Sequence, residues 1–294
     1  MSLKIALLGF GEVGQTLAAE LVTRASEVRA WDPKFEDERN EATRAAARIG
    51  VLVAPDAAGA ARDAGLIISA VTAARIEVAA RSVAGHLAPD AWYFDLNSTS
   101  PSSKAAAGEV VQRAGGRFVE AAIMSPISPR GAASPMLIGG AHAAGFQSLA
   151  SQLGFTHTRI MPGKLGAASA AKMCRSVLVK GLEALVLESL LSARRHGVDE
   201  VVLESLQGLK FDDWRESARY MASRALLHGA RRAEEMREVT RTVGEAGLMA
   251  PMSSACVMWQ DWAAAHPELH AAALPQLLDG LLDGMLAART GDSR

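Results

Sequence analysis

Cysteine is scarce in this chain. Its 294 residues include two, Cys174 and Cys256, far apart in sequence. That excludes a disulfide framework and a cysteine-based metal cluster, and a reducing compartment such as the cytoplasm is expected. Histidine is sparse as well, at seven residues. Only His266 and His270 fall at a metal-ligand spacing, and because they flank Pro267 near a helix boundary they are expected at the surface. Neither charge sign dominates. The formal net charge is −1, so no basic face is expected and nucleic acid is not an expected partner. Unbroken apolar runs of about 20 residues are missing, which argues against a membrane span. The N-terminus opens on a strand-like run with no basic segment before a long apolar one, so no signal peptide is expected. Aromatics make up only 5% of the chain. Trp214, Trp259 and Trp262 form no binding stripe and read as core or interface. Internal repeats, low-complexity linkers and charge blocks are absent. What remains is 49% hydrophobic and 21% charged, the composition of an ordered chain with a sizeable core.

The most informative segment is LKIALLGFGEVG, residues 3–14. An apolar run meets Gly9, Gly11 and Gly14 in a G-x-G-x-x-G spacing, and the helix-forming stretch QTLAAELVTR follows. Between a strand and a helix each glycine has its own task. Gly9 permits a tight turn, Gly11 lets backbone approach a pyrophosphate, and Gly14 lets the helix pack close to the strand. The helix start then offers free N–H groups and a positive dipole end to phosphates. Residues 9–14 (Gly9, Phe10, Gly11, Glu12, Val13, Gly14) are therefore the candidate cofactor loop. Asp32 ends the next apolar run, EVRAW, at about the 20-residue distance where an acid accepts bonds from adenosine ribose hydroxyls. Its charge would repel a 2′-phosphate, which favours NAD over NADP. Lys34, two residues on, keeps NADP open, and a simple Asp-Pro turn is the plainer reading of Asp32.

Strand-like runs then alternate with helical ones. LKIALL, EVRAW, GVLVA, LIISAV, WYFDL and RFVEAAI read as strands, and PMLIGG and FTHTRIM add two more. The expected fold class is α/β, a doubly wound Rossmann-type, mostly parallel sheet followed by an all-helical C-terminal domain. The division is expected near residue 162, with a dinucleotide-binding domain at 1–162 and a helical substrate or oligomerisation domain at 163–294. A long helix, from about Lys164 to His196 and closed by Gly197, opens the second part. Its middle, SVLVKGLEALVLESLLSA, is apolar on most faces and predicts a buried central helix. Further helices are expected over VDEVVLESLQGL, FDDWRESARYMASRALL, ARRAEEMREVTRTVGEA, MSSACVMWQDWAA and LPQLLDGLLDGMLAA. These apolar C-terminal helices predict a homodimer or larger homo-oligomer.

A dinucleotide domain supplies hydride chemistry but no acid or base. Lys172, in GAASAAKMCRS near the start of the long helix, is the best candidate for proton transfer. Its small neighbours leave room for a substrate, and Ser169 and Ser176 share its face. A lysine snorkelling to solvent is the plainer reading. Lys180, deeper in the apolar stretch, reads as a structural ion pair with Glu183. Val71 and Thr72 follow the fourth strand at its carboxyl end, the edge that lines a cofactor crevice; a helix cap is the alternative for Thr72.

GFGEVG, DLNSTSP (95–101), FVEAAIMSP (118–126), AAKMCRS and AGLMAP (246–251) occur in an order that resembles the β-hydroxyacid dehydrogenases. That family includes the 6-phosphogluconate and 3-hydroxyisobutyrate dehydrogenases. HGARRAEEMREV and KGLEALVLESLLSARRHGV resemble a branch with a helical C-terminal domain of unassigned function. The resemblance implies Lys172 as the proton-transfer residue, with Ser98 and Thr99 close to the nicotinamide. It also implies departures. A Ser-Gly-Gly that grips a substrate carboxylate is replaced by Met124, Ser125 and Pro126, so Ser125 is left with one hydrogen bond to give. An asparagine after the lysine is replaced by Ser176, with Arg175 beside it. A later lysine aligns with Glu234, after Arg231 and Arg232.

The expected function is an NAD(P)-dependent oxidoreductase that interconverts a hydroxyl and a carbonyl on a small polar substrate, a hydroxy acid by resemblance. Lys172 is the expected general acid/base. Thr99, Ser125, Ser176 and Arg175 are the candidate substrate contacts, and no metal is expected. Imine reductases resemble the same family but generally lack a lysine at this position. A non-catalytic NAD(P)-binding redox sensor is the reading from another class, and it leaves Lys172 without a purpose.

Overall fold

The computed structural model describes residues 3–195, 197–208, 213–245 and 250–291. His196, the first residues of FDDWRESARYMASRALL and most of AGLMAP lie outside the described residues, as does the side chain of Trp214. The chain divides into two compact units, Met1–Met173 and Cys174–Arg294.

The first unit is built on one sheet of eight strands. These are β1 (Lys4–Leu8), β2 (Glu27–Trp31), β3 (Leu52–Val53), β4 (Leu66–Ser69), β5 (Trp92–Asp95), β6 (Arg117–Ile123), β7 (Met136–Gly139) and β8 (Thr158–Ile160). Their order is β3-β2-β1-β4-β5-β6-β7-β8. Every pairing is parallel except β6 with β7. The order reverses direction between β1 and β4, which opens a crevice at their carboxyl ends.

Period-two alternation splits the core between the faces. Ile5 and Leu7 of β1 and Phe94 of β5 belong to one cluster, with Leu17 and Leu21 of α1 (Glu12–Leu21) and Phe146 of α6 (Ala143–Gln152). Ala6, Leu8 and Tyr93 belong to the other, with Ala57 of α3 (Ala57–Ala61), Val83 of α4 (Ile76–Ala84) and Val111 of α5 (Pro101–Arg113). Each large side chain so buried contributes roughly 1.5–3 kcal/mol. The exceptions are the edge strands: β3, two residues long, exposes Leu52 and Val53, and β8 exposes Ile160. A short edge limits pairing with other chains.

Local chemistry sets the helix ends. Asn40 caps α2 (Glu41–Ile49), which stops at Gly50 in a left-handed conformation. Ser100 caps α5, and Pro101 takes the first helical position, where its missing N–H costs nothing.

Among the described residues that follow, the helices are α7 (Ala167–Arg195), α8 (Asp199–Ser205), α9 (Trp214–Glu245), α10 (Pro251–Ala263) and α11 (Leu274–Gly291). The unit boundary falls inside α7. Two expectations are corrected here. The segments SARYMASRALL and ARRAEEMREVTRTVGE form one continuous helix, α9. Gly229, at their junction, does not break it: a Cβ there would lie 2.4 Å from the Gln260 carbonyl oxygen, so this glycine admits the backbone of α10. The middle of α7 is not buried on all sides either. Ala184, Val186 and Leu190 are core, whereas Leu178 is 73% exposed. An apolar run reports side-chain chemistry but not which face has a partner.

Cys174 is exposed and Cys256 is buried, where desolvation pushes its thiol above the ordinary range. Titration of the native protein with a disulfide reagent at neutral pH should therefore consume one thiol quickly. The second should react only on denaturation; two equally fast thiols would contradict the packing of α10.

Candidate active site

The glycine loop leaves β1 at Leu8. Gly9 has φ +92° and donates to the Trp31 carbonyl at 2.9 Å. A Cβ on Gly9 would lie 2.3 Å from the Ala70 carbonyl oxygen, and one on Gly14 would lie 2.2 Å from the Gly9 carbonyl oxygen. The protein's own backbone therefore demands both. At Gly11 a Cβ would meet nothing within 4 Å. The middle glycine instead keeps open a space that a side chain would fill. It is also the N-cap of α1, and no side chain caps that helix. The first N–H groups of α1 are thus left to an external acceptor.

The remaining loop residues have distinct places. Phe10 is fully buried and contributes only its backbone, while Glu12 is exposed and Val13 packs against the core. Asp32, half-buried at the end of β2, accepts from the Phe10 N–H at 2.7 Å and the Lys34 N–H at 2.9 Å. It both starts the Asp-Pro turn and ties that turn to the glycine loop. Each carboxylate oxygen keeps a further lone pair for a ribose hydroxyl. Val71 follows Ala70 beside Gly9. Thr72 is exposed, and its side chain makes no cap hydrogen bond. An open glycine, uncapped helical N–H groups and an acid at the end of β2 together fit a dinucleotide.

A second group of residues meets at the carboxyl end of β5. Lys104 of α5 and Asp95 are both fully buried and ion-paired. The same ammonium donates to the Asp95 carbonyl at 2.9 Å and the Ala121 carbonyl at 3.3 Å. Asn97 donates its side-chain amide to Ser69 Oγ at 2.8 Å and to the Asp95 carboxylate at 3.0 Å. Burial and the Asp95 charge push the neighbouring Tyr93 phenol well above its usual range. The loop carrying Ser98 and Thr99 is thereby held on a buried polar frame. Motif reading misses Lys104, yet it lies on the stripe Lys104, Ala107, Gly108, Val111 that α5 buries. That helical spacing is a signal that it points inward.

The start of α7 meets this loop. Ser169 Oγ donates to the Thr99 carbonyl, and Lys172 Nζ donates to Ser98 Oγ. Lys172 is half-buried, so it does not snorkel free. Thr99 is fully buried and takes part through its carbonyl. Glu120 of β6, which motif reading also misses, accepts from the backbone at the start of α7. Ser125 is half-buried just beyond β6 and donates to the Pro126 carbonyl at 3.0 Å.

The second unit corrects the ion-pair reading of Lys180. It pairs with Glu235 of α9 and not with Glu183, which pairs with Arg232. Neighbours three apart on one helix are weaker partners than a facing helix that buries them together. Desolvation lowers the affinity of Lys180 for its proton, partly offset by Glu235. Burial pushes Arg232 down to about 10. Ser176 is buried and accepts from Lys180 at 3.4 Å, Arg231 pairs with Glu235, and Arg175 is exposed. No helix among the described residues is long and apolar enough to cross a membrane. Among the same residues, no cluster of His, Cys, Asp and Glu could hold a metal ion.

The glycine turn at the switch point, closed by Asp32, defines a dinucleotide-binding α/β protein. Residues 4–154 match the NAD binding domain of 6-phosphogluconate dehydrogenase, and residues 193–263 match a domain of unknown function, DUF1932. The chain belongs to the 6-phosphogluconate dehydrogenase-like family of NAD-binding proteins, and NAD(P) is its cofactor class. A conserved hypothetical protein from Sinorhizobium meliloti 1021 is 36% identical, with a TM-score of 0.71 over 96% of this chain and 97% of that one. The conserved protein MTH1747, of unknown function and structurally similar to 3-hydroxyacid dehydrogenases, is 32% identical, with a TM-score of 0.68 over 92% of this chain and all of its own. The Mycobacterium tuberculosis 3-hydroxyisobutyrate dehydrogenase studied with L-serine shares the fold, at 20% identity and a TM-score of 0.74 over 94% and 99% of the two chains.

The two glycines should separate binding from folding. Gly11→Ala should leave stability within about 0.5 kcal/mol and weaken dinucleotide affinity at least about tenfold, ~1.4 kcal/mol. Gly14→Ala should cost about 1–3 kcal/mol of stability or more, because the methyl meets backbone. Urea unfolding and fluorescence titration with NADH and NADPH would show this, and a Gly11→Ala protein with unchanged affinity would contradict it.

Proposed function

We propose that this chain is an NAD(P)-dependent dehydrogenase that interconverts a hydroxyl and a carbonyl on a small hydroxy acid or related polar alcohol, with Lys172 as general acid/base. The observation that carries the proposal is the contact of Lys172 Nζ with Ser98 Oγ at the carboxyl end of β5. That end belongs to the same sheet edge as the glycine loop.

Bound NAD(P) supplies the hydride acceptor or donor. Lys172 does the rest of the bond chemistry. In oxidation its neutral amine takes the substrate hydroxyl proton; in reduction its ammonium returns that proton to the developing alkoxide. The Ser98 hydroxyl orients the amine. Ser125, Ser176 and Arg175 are the proposed substrate contacts, with Thr99 holding the loop. The Asp32 carboxylate favours a free 2′-hydroxyl and hence NAD. Residues 1–162 are proposed as the dinucleotide-binding domain and 163–294 as the substrate and oligomerisation domain. Exposed Leu178, Val201 and Met258 support assembly into a homodimer or larger homo-oligomer.

Screening hydroxy acids with NAD and NADP identifies the substrate, after which Lys172→Ala is the test. Its kcat should fall by about 10²- to 10⁴-fold, with cofactor affinity retained. Undiminished turnover by Lys172→Ala would refute the mechanism.

A further inference from the structure

Parallel pairing of β5 with β6 makes Asp95 and Glu120 register neighbours, and both are fully buried. Two carboxylates side by side and away from water repel, so each needs its own compensation. Asp95 has Lys104. Glu120 is met by backbone: its oxygens accept the N–H groups of Gly166 at 2.7 Å, Ala168 at 3.3 Å and Ser169 at 3.3 Å. The Ala167 N–H goes to the Lys164 carbonyl at 3.2 Å. Every N–H from 166 to 169 therefore has an acceptor, although an isolated helix start leaves such donors open. The charge also lies at the positive end of the α7 dipole.

The surroundings fit this carboxylate closely. A Cβ on Gly139 would lie 2.6 Å from Glu120 Oε1. Gly166 has φ +103°, and a Cβ there would lie 2.9 Å from Pro101 Cβ at the start of α5. The cap thus seats the first turn of α7 between β6 and α5. Lys172 lies one turn beyond Ser169 on that helix.

We propose that Glu120 is a positioning residue: it caps the first turn of α7 and so sets the reach of Lys172 to Ser98, governing kcat without touching substrate or cofactor. The proposal rests on Lys172 as the proton-transfer group. A shift of about 1 Å at a reacting group can cost about 10²-fold in rate.

Hydrogen exchange of the wild-type chain, read residue by residue by NMR, tests the cap directly. The Ala168 and Ser169 amides should be protected like those inside the helix, although neither has an intrahelical acceptor. In Glu120→Gln, which keeps the shape but loses the charge, that protection should drop at least about tenfold. Its kcat should fall by about 10- to 100-fold, with KM for substrate and cofactor within about twofold, and Glu120→Asp should recover part of the loss. In a Lys172→Ala background Glu120→Gln should cost little more, since one residue acts through the other. Fast wild-type exchange at Ala168 and Ser169 overturns the proposal even if Glu120→Gln does not fold, and leaves the role of Lys172 standing. Full additivity of the two substitutions overturns it as well. A fully active Lys172→Ala would instead defeat the functional reading, with the cap still visible in exchange.

Discussion

Two buried acids in register on adjacent strands are the constraint around which this site is arranged. Asp95, the last residue of β5, lies next to Glu120, in the middle of β6, on two parallel strands. A buried carboxylate without a partner is costly to the fold. The fold answers each with a different element. The ammonium of Lys104 comes up from α5 to Asp95, and the N-terminus of α7 comes down on Glu120. Satisfying the acids fixes two pieces of backbone, the loop Leu96–Ser100 and the first turn of α7. Those pieces carry Ser98 and Lys172. The contact between them, reinforced by Ser169 on the Thr99 carbonyl, follows from the frame beneath.

Across the same sheet edge, the cofactor loop obeys a simpler rule. Gly9 and Gly14 are required by backbone atoms of the protein itself, whereas Gly11 is required by space. Glycines of the first kind hold the fold together, and the second kind keeps room for a ligand. Asp32 links the two by accepting from Phe10 while its charge faces the crevice end of β2. The unit thus brings cofactor residues and a proton-transfer candidate to the carboxyl ends of its strands, where an open α/β sheet places chemistry.

Much of this is legible in sequence because it is local. The eight strands, the glycine turn and the small-residue neighbourhood of Lys172 all lie in short windows with a recognisable period. Lys104 is legible in principle, since it falls on the buried stripe of α5. Glu120 is harder: an acid inside RFVEAAI declares that it needs a partner but not which one, and its donors begin at Gly166, far along the chain. The second unit shows the same limit. Sequence proximity suggests that Lys180 pairs with Glu183, but the facing helix supplies Glu235 to one and Arg232 to the other. Gly229 reads as a break between helices and is a packing notch for α10. The apolar run of α7 does not reveal that Leu178 faces outward.

The central claim is that Lys172 belongs to the cofactor crevice and not to a solvated helix face. Competitive labelling of the lysine amines with a trace acylating reagent, quantified by mass spectrometry with and without NAD(P)H, tests it most directly. Labelling of Lys172 should fall when the dinucleotide binds, while that of exposed Lys164 stays constant. Equal labelling of Lys172 in both states, under saturation by the dinucleotide, would contradict the account.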